Sequence, residues 1–312
     1  MNRAWIVEDG TAREVDRARA EAAVGSADFV WLHLARNGGA LPTLPERVPE
    51  AAATVLQMEE TRPATDRLGE AMLLNLRGPG VDTDYMDLLV SVRLFAVRGF
   101  VLTMSYRAMP AIDAVVEEMR RGAIHDPGDL VAALANAITD RLDPIIAGIG
   151  DRLDDLESAI AAEDEPHRRE VAKVRSEAIR YRRFVAPQRV ALERLTEADC
   201  DWLDEADRQK LRLAADRAAR MAEELEAIRE RAAIAHEELT DLRAERIDRR
   251  SLTISVAAMI FLPLTFITGL WGMNVGVPWE GQIVGFWIIL AASLAIAAGI
   301  AGWFWYRHWL DR

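Results

Sequence analysis

The sequence predicts an α+β domain, then long stalk helices, then a two-helix transmembrane hairpin at the C-terminus. Three observations predict it. Residues 251–279 carry no charged side chain, and a second uncharged run extends from Gly281 to Tyr306. A helix needs about 20 residues to cross a bilayer core, so each run is long enough. The chain before them is highly charged, and it opens with short apolar runs that alternate with polar helical ones. These patterns divide the chain into an N-terminal α/β domain over 1–108, a helical stalk region over 109–250 and the hairpin over 251–312. Within the hairpin the first span covers about 251–272, an outer loop 273–282, the second span about 283–306 and a tail 307–312.

In chain order, Ala4–Val7 and Phe29–Leu34 read as strands, Ala12–Val24 and Pro45–Gln57 as helices, and Ala71–Leu76 as a strand. Leu89–Val97 and Phe100–Ser105 flank Arg98-Gly99, a two-residue turn that predicts a hairpin. The stretch 78–84 reads as a loop. Pro110–Arg121 carries Ile112, Val115, Val116 and Met119 at helical spacing, and Pro127–Ala162 repeats apolar residues from Leu130 to Leu156. Glu163-Asp164-Glu165-Pro166 ends that helix, and the next runs to about Leu195 with a kink at Pro187. From about Asp204 to Trp271 the only proline is Pro263, and no glycine precedes Gly269. At 1.5 Å per residue this helix is roughly 100 Å long. It joins stalk and first span without a linker.

The average of 51% hydrophobic residues conceals the split between the two ends. All but two of the 38 basic and two of the 50 acidic residues precede residue 251, so that part carries the whole net charge of −12. Such acidity repels phosphates and argues against nucleic acid as a partner, while it suits the gathering of cations. One cysteine, Cys200, excludes an intrachain disulfide framework and a cysteine-rich zinc site. The N-terminus has no signal-peptide core. Arg243, Arg246, Arg249 and Arg250 precede the first span, Arg307, His308 and Arg312 follow the second, and the loop between holds only Glu280. The positive-inside rule therefore places both termini in the cytoplasm, with Trp271, Trp279, Trp303, Trp305 and Trp309 near the interfaces of the lipid bilayer.

Alternating steps of three and four residues backward from Gly272 follow one seam of a helix bundle. They meet Gly269, Thr265, Leu262, Ala258, Ser255 and Ser251, then Asp248, Ala244, Asp241 and Glu237; heptad steps extend the row to Glu230, Glu223 and Asp216. The seam is small or hydroxylated with Leu262 as its one bulky constriction. Opposite the acidic row lie Leu225, Ile228, Ala232, Ala235, Leu239 and Leu242. One hairpin cannot enclose a channel, but several copies around an axis place a ring of oxygens at each level, which favours cations. An acidic row alone is equally a solvated helix face. Its phase match with the hydroxyl seam favours a shared path. Pro263 removes one backbone hydrogen bond beside Leu262, either as a harmless kink or as a flexible point.

Gly272-Met273-Asn274 at the end of the first of two C-terminal spans resembles the signature of the CorA superfamily of divalent-cation transporters. Phe261-Leu-Pro-Leu-Thr-Phe-Ile-Thr-Gly269 is similar to its ZntB branch, as are Glu59-Glu60-Thr61-Arg62-Pro63 and Leu73-Leu74-Asn75-Leu76-Arg77-Gly78. The resemblance implies a homopentamer with a funnel-shaped cytoplasmic domain in the bacterial inner membrane. It implies zinc as cargo, with cadmium, nickel or cobalt beside it, and protons as a coupling ion; uptake and efflux both stay open. It places Asn274 at the outer pore mouth, holding a hydrated cation with its amide oxygen, Thr265 toward the ion path, Gly272 at the tight helix exit and Met273 in packing. Val275-Gly-Val-Pro-Trp-Glu-Gly281 departs from both the magnesium-type and the zinc-type loops.

No cofactor is called for, since the divalent cation is cargo. Candidate metal-binding residues are Asn274, Glu237, Asp241, Asp248, His236 and Glu280. His236 adjoins Glu237, and imidazole suits zinc better than magnesium. His167 beside Glu163, Asp164 and Glu165 is a possible accessory ligand, while His33 on a strand reads as structural. With no His-x-x-x-His and no cysteine pair, a closed zinc site within one chain is disfavoured. The alternatives are a magnesium or cobalt channel of the CorA type and, in another class, a membrane-anchored coiled-coil scaffold or sensor. An enzyme is disfavoured, because no phosphate-binding glycine loop, nucleophile elbow or His/Cys constellation is present.

Overall fold

The computed structural model describes residues 2–35, 42–58, 62–81, 89–161, 168–273, 276 and 282–310, with side chains to residue 306. Two compact units result, Met1–His236 and Glu237–Arg312.

The first unit is built on a seven-stranded sheet. The strands are β1 (Arg3–Glu8), β2 (Thr11–Glu14), β3 (Phe29–Ala35), β4 (Ala64–Leu68), β5 (Ala71–Gly78), β6 (Val90–Val97) and β7 (Phe100–Ser105), in the order β2-β1-β3-β7-β6-β5-β4. Every neighbouring pair is antiparallel except β3 and β7. The β6–β7 hairpin closes through Arg98-Gly99 as its spacing predicts, with Gly99 at φ 70, a left-handed conformation that favours glycine.

Alternation explains the two faces. Val30, Leu32 and Leu34 of β3 and Phe100, Leu102 and Met104 of β7 join Ala20, Ala52 and Leu56 in one buried core. Those last three come from α1 (Arg17–Ala23) and α2 (Glu50–Gln57). The sheet also receives α4 (Pro127–Ala161) and α5 (Arg168–Glu197), and α3 (Pro110–Arg120) packs on α4. Gly78 lets α4 approach, because a Cβ there would lie 3.1 Å from Ile138. Gln188 of α5 accepts from the Arg77 amide at 2.8 Å, and Thr65 of β4 donates to the Ala191 carbonyl at 2.6 Å.

The sequence expectation of one helix over Ala12–Val24 is corrected. Thr11–Glu14 is the edge strand β2, and the helix starts only after Asp16, whose side chain accepts from the Arg19 amide at 2.9 Å. The helix expected from Pro45 begins at Glu50, and β4 is an additional strand. The acidic end of α4 and His167 lie outside the described residues.

The stalk expectation concerns α6 (Glu205–Trp271), 67 residues without interruption. Leu211, Ala214, Ala218, Met221, Leu225, Ile228, Ala232 and Ala235 are buried at alternating steps of three and four. Each large one contributes about 1.5–3 kcal/mol by leaving water. Arg231 pairs with Asp154 at 2.5 Å and with Glu157, and Arg217 pairs with Asp140, all from α4. Asp216, Glu223 and Glu230 are exposed.

Candidate functional site

The second unit holds the end of α6 and all of α7 (Ile283–Leu310). Both are long and apolar enough to cross a membrane, over the C-terminal part of α6 and over Ile283–Tyr306. Their partly covered positions are periodic. On α6 they are Val256, Ile260, Pro263, Leu264, Ile267 and Trp271; on α7 they are Gly285, Ile289, Ser293, Ile296, Ala297, Ile300 and Phe304. Each set falls on one helix face, as two spans packed side by side require. Small Gly285 and Ser293 suit close approach of apolar helices.

The predicted seam occupies the other side of α6. At about 100° per residue, Ser251, Ser255, Ala258, Leu262, Thr265, Gly269 and Gly272 centre roughly 180° from the covered positions. All of them are exposed, Leu262 at 69%. Ala258, Phe261, Leu262, Thr265 and Phe266 line a shallow groove. Phe261 and Phe266, each 67% exposed, flank the seam and were not among the predicted site residues. Their signal was present: Phe261 lies three residues after Ala258 and four before Thr265, and Phe266 four after Leu262, the spacings of one helix face.

The hydroxyls are locally constrained. Thr265 Oγ1 donates to the Phe261 carbonyl at 2.7 Å, and Thr268 Oγ1 to that of Leu264 at 3.0 Å. Each hydroxyl spends its single proton on the backbone, so its oxygen retains acceptor lone pairs outward. Such an oxygen offers electron density to a cation and nothing to an anion. Pro263 lies inside the helix and lacks the N–H that would bond the Met259 carbonyl. Gly272 closes the helix, its amide donating to Thr268 at 3.0 Å; a Cβ there would crowd the Thr268 carbonyl at 3.3 Å. Met273 is 55% exposed. Asn274 and Glu280 lie outside the described residues.

Glu237, Asp241 and Asp248 are exposed on α6, and His236 is half-buried. Arg168 Nη2 sits 3.4 Å from His236 Nε2, where the guanidinium can only donate and the imidazole nitrogen accept. Among the described residues no three His, Cys, Asp or Glu side chains of one chain converge as a metal would need. Of the predicted metal residues, Glu237, Asp241 and Asp248 are thus a row along α6 rather than a cluster. His33 is buried in the sheet against Thr103 at 2.8 Å, and burial first of all lowers its pKa to about 3, keeping it neutral.

Comparison with known proteins agrees with this architecture. The family model described as CorA-like Mg2+ transporter protein matches residues 26–307. The zinc transport protein ZntB of Pectobacterium atrosepticum is 32% identical over 293 residues, covering 92% of this chain and 90% of that protein. The solved full-length CmaX protein aligns with a TM-score of 0.79 at 29% identity, over 98% of this chain and 96% of the other. The CorA magnesium transporter of Methanocaldococcus jannaschii aligns with a TM-score of 0.78 over 97% of each chain; at 15% identity it speaks for the fold alone.

Proposed function

This chain belongs to the CorA-like Mg2+ transporter family, and from that premise we propose that it carries divalent metal cations, zinc foremost, along an axial path lined by the first span of several copies. The observation that carries this reading is the opposition on α6: its hydroxylated seam is uncovered, while the partly covered positions fall on the face about 180° away. A seam so placed is available to identical seams of neighbouring copies. Five copies, as the resemblance implies, would stack rings of Ser251, Ser255 and Thr265 oxygens with Leu262 as the constriction.

Rings of Glu237, Asp241 and Asp248 would raise the local cation concentration along the same row. Asn274 would meet the partly hydrated ion at the outer mouth, with Glu280 adding a negative field there. No covalent chemistry is needed: hydroxyl and amide oxygens replace part of a hydration shell, and membrane potential, with a proton gradient as coupled force, drives the ion. The arginine flank before the first span supports an inner-membrane protein with both termini in the cytoplasm.

Zinc is favoured by the relatives named for zinc transport at 30–32% identity over most of their length. Magnesium is the second reading, favoured by the family description. The test is ion flux into liposomes holding the purified chain, zinc against magnesium, with Asn274→Ala and Thr265→Val alongside. Zinc flux that exceeds magnesium flux and falls in both variants is the expected result. Vesicles silent to zinc but not to magnesium would transfer the proposal to magnesium.

A further inference from the structure

The first turns of α4 and α6 share a sequence pattern, Asp126-Pro-Gly-Asp129 and Asp204-Glu-Ala-Asp207. In each, the leading aspartate caps the helix: Asp126 accepts from the Asp129 amide at 2.9 Å, and Asp204 from the Asp207 amide at 2.8 Å. The two helix starts meet at Gly128. A Cβ at that position would fall on Asp207 Oδ2 and lie 3.1 Å from the Trp202 carbonyl. Glycine there is a packing requirement, and what fills the space is a carboxyl group.

We propose that Asp207 is a proton-binding group that couples the seating of the first turn of α6 on the first turn of α4 to pH. Asp207 is 2% exposed, and its Oδ2 has no hydrogen-bond partner among the described residues. The groups facing it are known from each side. From α4 and the residues before it come Asp126, Asp129 and His125; from α6 come Asp204 and Lys210; from the turn between α5 and α6 comes the Trp202 carbonyl. Three other carboxylates and one lysine therefore act on Asp207.

The lysine is already engaged. Its Nζ lies 2.6 Å from Asp129 Oδ1 and 3.6 Å from Asp207 Oδ1. Burial would push the Asp129 carboxyl up, but the Lys210 hydrogen bond and the His125 amide outweigh it and hold it low. Asp129 thus keeps the charge and the cation. Asp207 is left over in a buried place with no donor for one oxygen, where an ionised carboxylate is costly. Burial, then Asp126, Asp204 and Asp129, raise its carboxyl to about 7, with Lys210 opposing. A neutral acid relieves the repulsion, and the further polar atom close against the Gly128 position is the Trp202 carbonyl, an acceptor rather than another charge. The ligand is a proton rather than a metal, since no three of these carboxylates converge and Lys210 takes the cation's place.

The direction of the effect follows from linkage. Between pH 3.8 and about 7 the folded chain holds a proton on Asp207 that the unfolded chain has lost. Raising pH through that window lowers stability, and above about pH 7 the loss is complete. The junction is seated in acid and loosened in alkali, at the start of the helix whose other end forms the first span.

The experiment uses the full chain in detergent, with melting and amide hydrogen exchange followed from about pH 5 to about pH 9 and exchange corrected for its intrinsic rate. Three variants accompany it: Asp207→Asn, His125→Asn and Asp204→Asn, the last keeping its cap because asparagine caps as well as aspartate. The Tm advantage of Asp207→Asn over the parent should open as pH rises and level off above about pH 7. Exchange in the first turns of α4 and α6 should be roughly a hundredfold faster at the alkaline end in the parent, from the roughly two pH units between about pH 5 and about 7, and pH-independent in Asp207→Asn. The step should survive His125→Asn and move to lower pH in Asp204→Asn, which keeps the proposal testable if Asp207→Asn fails to fold. A step that persists in Asp207→Asn, vanishes in His125→Asn, or stays in place in Asp204→Asn would overturn it.

Discussion

The two ends of α6 are made of the same helix and solve opposite problems. At its start an ionisable group, Asp207, is 2% exposed among other carboxylates. At its end an apolar residue, Leu262, is 69% exposed beside serine and threonine. In the first unit burial follows hydrophobic periodicity, and buried polar groups are held by bonds to neighbours, as Thr65 is to the Ala191 carbonyl and His33 to Thr103. In the second unit periodicity follows the neighbouring span, and the face left over is the more hydroxylated one. The difference teaches that exposure in one chain has two meanings: solvation along the stalk and, on the proposed reading, a surface for neighbouring copies in the span.

Substitutions of the same kind at the two ends sharpen this contrast. Leu225→Ala, at a fully buried stalk position, should lower stability by about 2–5 kcal/mol in denaturant or thermal unfolding of the purified chain. Leu262→Ala should leave that unfolding unchanged and raise ion flux by widening the constriction; equal losses at both sites would break the distinction. Gly128→Ala should cost about 1–3 kcal/mol, because its new methyl group must displace Asp207 Oδ2. Thr265→Val keeps the shape and removes the outward oxygen at an exposed position, so stability should shift by no more than about 0.5 kcal/mol while divalent flux falls. The smallest effect belongs to Ser293→Ala. Ser293 is 6% exposed and its hydroxyl has no partner among the described residues, so its removal should be neutral within about 0.5 kcal/mol or stabilising; a clear loss in melting would assign it an inter-span bond.

What was legible in the sequence depended on how local the cause was. The strand Phe29–Ala35 and the hairpin at Arg98-Gly99 announce themselves by alternation and a turn pair, and α6 by the absence of proline and glycine over its stalk. The two strands that the sequence concealed, β2 and β4, are the two edges of the sheet. An edge strand pairs on one side only, and Thr11–Glu14, largely exposed, has no apolar alternation to display. Asp16 carried the real start of the first helix, since a cap is a local signal. The α6 seam was legible because it is a phase on one helix. Its standing opposite a covered face was not, because that depends on which side of α6 the second span packs. Asp207 was equally hidden: the paired Asp-x-x-Asp runs are visible, but they lie 78 positions apart and meet only through Gly128.

The central claim is that the uncovered seam of the first span faces water and ions, and the most direct measurement is single-cysteine accessibility during zinc flux. Native Cys200 is buried, so the parent chain serves as its own labelling control. Ser255→Cys and Thr265→Cys stand on the seam, Ile260→Cys and Ile267→Cys on the opposite face, and a small charged thiol reagent is added from the aqueous side. The account predicts that the two seam cysteines are labelled and that labelling stops flux, while the two opposite ones stay unlabelled with flux intact. Labelling and block at Ile260 and Ile267, with Ser255 and Thr265 inert, would contradict it.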